Sequence, residues 1–182
     1  LLAALLLLLA LSCWNNVIEL RAEEPRRAIV SLEMFLRGEF IVPEINGWSY
    51  YNKPPAFNWW MALFFKIFGS FEEWAVRLPS LIALVLTALF SFFTVNKFAG
   101  KTVAALSSFF LLTGADILFY GTINASEIDL FFTFLVFMQV MSIFLGLERR
   151  HLLLLFMGSY FFAALGTLTK GPPSIAFQAL TL

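Results

Sequence analysis

Residues 78–95 of the chain read LPSLIALVLTALFSFFTV, a run without a charged residue. A helix of about 20 mostly apolar residues is long enough to cross the hydrocarbon core of a bilayer. Four other apolar runs have related lengths, and a sixth begins near the end of the sequence. We therefore predict an all-α integral membrane fold with several transmembrane helices. The predicted spans are residues 1–14, 78–95, 102–118, 130–147, 152–169 and 175–182.

The composition favours the same fold class. Hydrophobic residues make up 60% of the 182 residues and charged residues 13%, which leaves too little polar surface to cover a soluble core. Twelve basic and twelve acidic residues balance, so the net charge predicts no nucleic-acid partner. The single cysteine, Cys13, excludes an internal disulfide and a multi-cysteine metal site.

Both ends of the sequence lie in apolar runs, beginning at Leu1 and stopping at Leu182. We therefore expect an N-terminal part of a longer chain, without its C-terminal exoplasmic domain. Residues 1–14 fit the end of a first membrane helix, and a clipped signal segment is the alternative.

The long polar stretch, residues 15–77, contains two short amphipathic segments. Residues 25–37 fit a helix that begins with proline and ends before Gly38. Residues 56–68 are apolar but too few to cross a bilayer. Trp59, Trp60 and Lys66 fit a helix lying in the membrane interface. We therefore predict two interfacial helices in this loop.

The short loops predict the orientation. The loops after residues 95 and 147 each carry two basic residues, whereas residues 114–129 contain acidic charges alone. Basic loops lie preferentially on the cytoplasmic side of a membrane. Counting spans then places residues 15–77, the acidic loop and Lys170 on the exoplasmic face, provided that residues 56–68 do not cross.

Several charged side chains of that face are candidates for chemistry, although each has a structural alternative. Carboxylates at a helix N-terminus are stabilised by the helix dipole, and lysines at helix ends can anchor to lipid headgroups. Asp129 lies at the mouth of an apolar helix, where a charge is costly unless it is paired or hydrated. Lysines beside carboxylates at a bilayer surface suit a lipid-phosphate substrate and proton transfer from a hydroxyl. The candidates are Glu23, Glu24, Arg26, Lys53, Glu127, Asp129 and Lys170.

Seven motifs occur in a fixed order along the chain: EEPR at 23–26, GEFIVP at 38–43, NG at 46–47, YYNKPP at 50–55, WAVRLPS at 74–80, ID at 128–129 and LTKGP at 168–172. Their types and order resemble those of the bacterial aminoarabinose transferases. These enzymes belong to the protein O-mannosyltransferase-like glycosyltransferases with the GT-C fold. The resemblance runs from about residue 18 to residue 173.

The resemblance implies a multi-pass enzyme of the bacterial inner membrane with its active face on the exoplasmic, periplasmic side. Such an enzyme transfers a sugar from a polyprenyl-phosphate donor to lipid A, another glycolipid or a protein. It implies that the acidic pair Glu23-Glu24 is catalytic, with Glu23 as the base that activates the acceptor hydroxyl. The residues implied to bind the donor phosphate are Arg26, Lys53 and Lys170, with Asp129 and Glu127 in support.

Two departures from the family pattern affect these expectations. Glu23 stands where the family usually has aspartate, and Asn52 stands where aminoarabinose transferases usually have a glutamate associated with a bound metal. We therefore assign no metal ligands, regard a divalent metal as disfavoured, and expect a relative with a different donor or acceptor. A transporter, a lipid-binding scaffold and an inactive paralogue are the alternatives. Charges at helix ends rather than at span centres speak against a transporter.

Overall fold

The computed structural model describes residues 19–114 and 125–182, which form seven α-helices and one small hairpin. Helix α6 directly follows a short π-helical stretch, Leu154–Gly158. The elements in chain order are α1 (Glu24–Arg37), β1 (Glu44–Ile45), β2 (Trp48–Ser49), α2 (Ala56–Phe68), α3 (Glu73–Ala99), α4 (Lys101–Leu112), α5 (Ile128–Glu148), α6 (Ser159–Lys170) and α7 (Pro173–Thr181).

Two of these helices, α3 with 27 residues and α5 with 21, are long and apolar enough to cross a membrane. They contain the predicted spans 78–95 and 130–147. The last two predicted spans are also largely helical, as the π-helical stretch with α6 and as α7. Span 1–14 and the end of span 102–118 lie outside the described residues. That these helices cross a bilayer stays a prediction.

The two short helices of the polar stretch form where the sequence predicts them. Helix α1 begins one residue before the predicted start, and both α1 and α2 end at a glycine. Gly38 and Gly69 adopt φ values of 71° and 61°, the left-handed conformation that commonly ends a helix. Local sequence therefore accounts for the bounds of both helices.

The hairpin is an addition to the predicted all-α fold. Its strands pair antiparallel, with Glu44 opposite Ser49 and Ile45 opposite Trp48. Asn46 and Gly47 form the turn with φ values of 53° and 80°. Two consecutive positive φ angles are typical of the type I′ turn, for which Asn-Gly is the favoured pair.

Helix α2 lies against the other helices along one face instead of lying apart on a surface. Phe57, Met61 and Phe65 are at most 1% exposed and pack against α3 and α5. Trp60 stacks on Phe131 with ring centroids 5.5 Å apart, and its Nε1 donates to the Pro79 carbonyl at 3.0 Å. Trp60 is therefore partly buried against α3 and α5, and the predicted place of this helix in the lipid interface stays a prediction.

Helices α3 and α5 run parallel, because equivalent ends of the two helices contact each other. At their N-terminal ends, Ser80 Oγ donates to the Glu127 carbonyl at 3.0 Å. At their C-terminal ends, Lys97 Nζ lies 2.9 Å from a carboxylate oxygen of Glu148. Glu24 and Glu127, which directly precedes α5, therefore lie at one end of the helix bundle, and Lys97 lies at the other.

Candidate functional site

A buried ion pair holds the first turn of α1. Glu24 and Arg77 are each 1% exposed, and the guanidinium donates to the carboxylate through Nε at 3.0 Å and Nη2 at 3.2 Å. The same carboxylate accepts the backbone N–H groups of Arg21 at 2.9 Å and Ser126 at 2.8 Å. A buried carboxylate that receives this many donors is well satisfied as an anion. These contacts fix the start of α1 against α3 and the chain before α5.

Arg27, one turn further along α1, contacts the same segment before α5. Its Nη1 donates to the Ser126 carbonyl and to Glu127 Oε2, the latter at 2.9 Å. Both side chains of this ion pair are mostly buried, with 16% of Arg27 and 24% of Glu127 exposed. The Ser126 peptide is therefore held through its N–H by Glu24 and through its carbonyl by Arg27.

A cleft opens above this segment and brings together three of the candidate residues. It has about 410 Å³ of empty space, including space open to solvent. Glu23, Arg26 and Lys53 belong to its lining, so one of the candidate acids and two of the candidate cations share the cleft. The remaining lining residues are Arg27, Val30, Tyr50, Asn52, Pro54, Phe57, Asn58 and Ile128.

Glu23 and Glu24 differ in their surroundings although they are consecutive. Glu23 precedes the first residue of α1, keeps 45% of its side chain exposed, and forms an ion pair with Arg26. Arg26 is 38% exposed. Glu23 is therefore accessible to a molecule entering the cleft, whereas Glu24 is enclosed by protein groups.

The ion pair between Lys170 and Asp129 lies outside the lining of the cleft. Lys170 ends α6 and Asp129 lies in the first turn of α5. The lysine is 27% exposed, the aspartate is 56% exposed, and Lys170 Nζ lies 5.5 Å from the centre of the Phe132 ring. Asp129 directly follows Ile128, which lines the cleft, so the pair is next to the cleft lining in sequence.

The residues at the motif position of Asn52 do not fit a metal site. The Asn52 amide is exposed and donates to the Tyr50 hydroxyl at 3.2 Å. Within residues 19–114 and 125–182, no three His, Cys, Asp or Glu side chains come together as a metal-binding group.

Two arginines of the site are absent from the candidates that the sequence predicts. Arg77 lies within the WAVRLPS motif and Arg27 directly follows EEPR, but neither is among the predicted site residues. A signal for Arg77 exists, because an arginine at the start of an apolar helix must find a partner if it is buried. Nothing in the sequence identifies Glu24 rather than Glu23 as that partner.

Comparisons with known proteins identify the family of this chain. A family model described as dolichyl-phosphate-mannose-protein mannosyltransferase matches residues 52–181. An uncharacterized protein of Aquifex aeolicus is 30% identical over 148 residues, which cover 80% of this chain and 29% of that protein. The undecaprenyl phosphate-alpha-4-amino-4-deoxy-L-arabinose arabinosyl transferase of Edwardsiella ictaluri is 33% identical over 125 residues, which cover 68% of this chain and 22% of that protein.

The fold is also found in a solved structure. The crystal structure of ArnT from Cupriavidus metallidurans bound to undecaprenyl phosphate matches with a TM-score of 0.82 and 22% identity, covering 96% of this chain and 32% of that one. This chain therefore shares the fold of the matching part of ArnT. It spans less than a third of the length of the curated relatives described above.

Proposed function

The chain belongs to the dolichyl-phosphate-mannose-protein mannosyltransferase family, and from that premise we propose that the full-length protein is a membrane glycosyltransferase. Its donor is a sugar linked to a polyprenyl phosphate, and its acceptor is lipid A, another glycolipid or a protein. The observation that carries this proposal is the cleft in which Glu23 lies beside Arg26 and Lys53. A base and two cations are the groups that phosphate displacement by a hydroxyl requires.

The proposed reaction exchanges one bond at the anomeric carbon of the sugar. The acceptor oxygen forms a bond to that carbon, and the bond from the carbon to the phosphate oxygen breaks. The acceptor proton passes to the Glu23 carboxylate, and the polyprenyl phosphate leaves with the bonding electrons. Lys53 and Arg26 stabilise the negative charge that develops on the leaving phosphate.

Binding of the donor phosphate to Arg26 prepares Glu23 to act as the base, because Glu23 and Arg26 form an ion pair. Without substrate, the guanidinium has the Glu23 carboxylate as its partner. A donor phosphate in the cleft offers Arg26 a second anion, because a guanidinium can donate several hydrogen bonds in one plane. Sharing Arg26 with the phosphate leaves a Glu23 oxygen free to accept the acceptor proton.

Glu24 has a positioning role in this proposal, and Glu127 supports the site through Arg27. Glu24 is 1% exposed and occupied by donors from Arg77, Arg21 and Ser126, so it is enclosed away from the reacting atoms. Its contacts hold the turn that presents Glu23.

Lys170 is proposed to assist with the donor phosphate from the neighbouring side of the cleft. Its ion pair with Asp129 keeps the ammonium at the first turn of α5, the helix whose first residue, Ile128, lines the cleft. A phosphate held by Lys53 then experiences an additional positive charge nearby. Asp129 has the supporting role of keeping Lys170 in place.

The proposed location is the bacterial inner membrane, with the cleft at the exoplasmic face. Helices α3 and α5 have the length and composition of spans, and their N-terminal ends both lie on the cleft side. The two basic loops that follow these helices belong to the opposite end and fit the cytoplasmic side. A cleft at the membrane surface would receive a lipid donor without extracting its chain from the bilayer.

The test uses the full-length protein, undecaprenyl-phosphate-linked sugars and a Glu23→Gln variant. We expect wild type to transfer sugar and the variant to lose about 10²–10⁴-fold in rate, the usual contribution of a general base. Glu39→Gln is the matched control, because Glu39 is exposed and lies outside the cleft lining. Equal transfer by wild type and Glu23→Gln refutes the assignment of the base. Failure of wild type to bind any donor lipid favours the transporter or scaffold instead.

A further inference from the structure

Arg27 is a feature of the cleft that the proposed reaction does not use. It lies on the cleft, yet its Nη1 is directed to the Ser126 carbonyl and the Glu127 carboxylate. The two partners lie 99 and 100 residues away in sequence. An arginine with these partners can either bind a substrate anion or hold two parts of the protein together, and its contacts distinguish the two roles.

Residues 126–127 are held by side chains from two helices. Glu24 Oε1 accepts the Ser126 N–H at 2.8 Å, and Ser80 Oγ donates to the Glu127 carbonyl at 3.0 Å. Arg27 supplies the remaining contacts, to the Ser126 carbonyl and to the Glu127 side chain. Within the described part of the chain, Arg27 is therefore the group that ties the Glu127 carboxylate to α1.

The held segment leads directly into the first turn of α5. Ile128 follows it and lines the cleft, and Asp129 with its partner Lys170 comes next. Glu23 lies four residues before Arg27 at the start of the same helix, α1. The distance between Glu23 and the Asp129–Lys170 pair therefore depends on how α1 is fastened to the segment before α5.

We propose that Arg27 is a positioning residue that, through Glu127, sets the spacing between Glu23 and the Lys170–Asp129 pair. This inference rests on the proposed glycosyl transfer. The mostly buried ion pair, with 16% and 24% of its side chains exposed, is better shielded from water than the ion pair of Glu23 with Arg26. A shielded guanidinium that already has two oxygen partners is better suited to a fixed contact within the protein than to binding a substrate.

The role makes a specific prediction for kinetics. A displacement of about 1 Å between reacting groups can lower a rate by about 100-fold while substrate binding is preserved. Removing the charge of either Arg27 or Glu127 should therefore lower kcat and leave the KM for the donor close to that of wild type. Because the ion pair needs both side chains, the double variant should cost little more than Arg27→Gln, which by itself also removes the contact to the Ser126 carbonyl.

The experiment measures kcat, donor KM and thermal stability of the full-length enzyme with undecaprenyl-phosphate-linked sugars. The variants are Arg27→Gln, Glu127→Gln, the double variant, and Arg27→Lys, which keeps the charge but lacks the planar fork. We expect both single variants to lose about 10- to 100-fold in kcat with donor KM within about twofold. Arg27→Lys should recover part of that loss. Arg37→Gln is the control, because Arg37 also lies on α1 and pairs with the partly exposed Glu44 outside the cleft.

Three results would overturn the proposal. A raised donor KM in Arg27→Gln but not in Glu127→Gln makes Arg27 a phosphate ligand. Lower thermal stability with unchanged kcat per folded molecule makes the ion pair structural only. Absence of sugar transfer by wild type refutes the proposed function, and the Arg27 role is refuted with it. The first two results leave the proposed function intact, so the two failures are distinguishable.

Discussion

Glu24 and Arg77 form an ion pair in which each side chain is 1% exposed, although 53 residues separate them in sequence. Glu23, the residue before Glu24, keeps 45% of its side chain exposed and lies on the cleft. The structure therefore gives consecutive glutamates different surroundings. One fastens the start of α1 to α3, and the other is accessible to a substrate.

Breaking the buried pair should destabilise the protein strongly. Arg77→Met leaves Glu24 buried without its charged partner, and loss of one member of a buried pair costs about 3–5 kcal/mol. Glu24→Gln should also lower the free energy of unfolding, because it removes the carboxylate charge that pairs with the buried Arg77. Thermal unfolding of the purified protein measures both effects. Arg37→Met is the control, since its partly exposed pair with Glu44 should contribute about 0–1 kcal/mol. A drop in stability no larger than that of the control contradicts the structural role of the pair.

Lys53→Ala should weaken donor binding as well as slow the transfer step, because the ammonium pairs with the donor phosphate both before and while it leaves. A hydrogen bond to a charged group is worth about 1.5–3 kcal/mol, which corresponds to an increase of about 10- to 100-fold in KM for the polyprenyl-phosphate sugar. Steady-state kinetics with varied donor concentration provide the measurement. Lys66→Ala is the control, because Lys66 is exposed on α2 and does not line the cleft. Equal KM values for the two variants would remove Lys53 from the phosphate site.

Gly146→Ala should disturb the packing of α5 against the helical segment that leads into α6. A Cβ at Gly146 would lie 2.7 Å from backbone atoms of Leu155, which cannot rotate away. Small residues allow this close approach of helices, and overpacking costs about 1–3 kcal/mol. Gly158→Ala is the milder variant for comparison. Its Cβ would meet the Ser142 hydroxyl at 3.1 Å, and this side chain can shift, so the loss of stability should be smaller. Thermal unfolding should show the larger loss for Gly146→Ala, and the reverse order would contradict this packing.

The orientation across the membrane can be tested by labelling. Ile41 is 82% exposed near the cleft end of the bundle, and Arg149 lies exposed after α5 at the other end. In a Cys13→Ser background, Ile41→Cys should react with a membrane-impermeant maleimide applied from the exoplasmic side, whereas Arg149→Cys should react only after the membrane is opened. Equal labelling of both positions in intact cells would contradict the proposed topology.

The sequence by itself determined the elements that depend on local interactions. Apolar runs long enough to cross a bilayer predict α3 and α5, and Gly38 predicts the end of α1. The ordered motifs predicted the family, which the match over residues 52–181 confirms. These features are readable because length, composition and backbone preference act within a few helical turns. The Asn46-Gly47 hairpin has an equally local cause, but two-residue strands are too short to produce an alternating pattern.

The tertiary structure alone decided which charged groups face each other. Glu23 and Glu24 are chemically alike and consecutive, so no local rule predicts that one is buried against Arg77 and the other lines a cleft. The same holds for Arg27, whose partners lie about 100 residues away. Such pairing follows from how α1, α3 and α5 meet at one end of the bundle, because a buried charge is stable only where packing brings it an opposite charge.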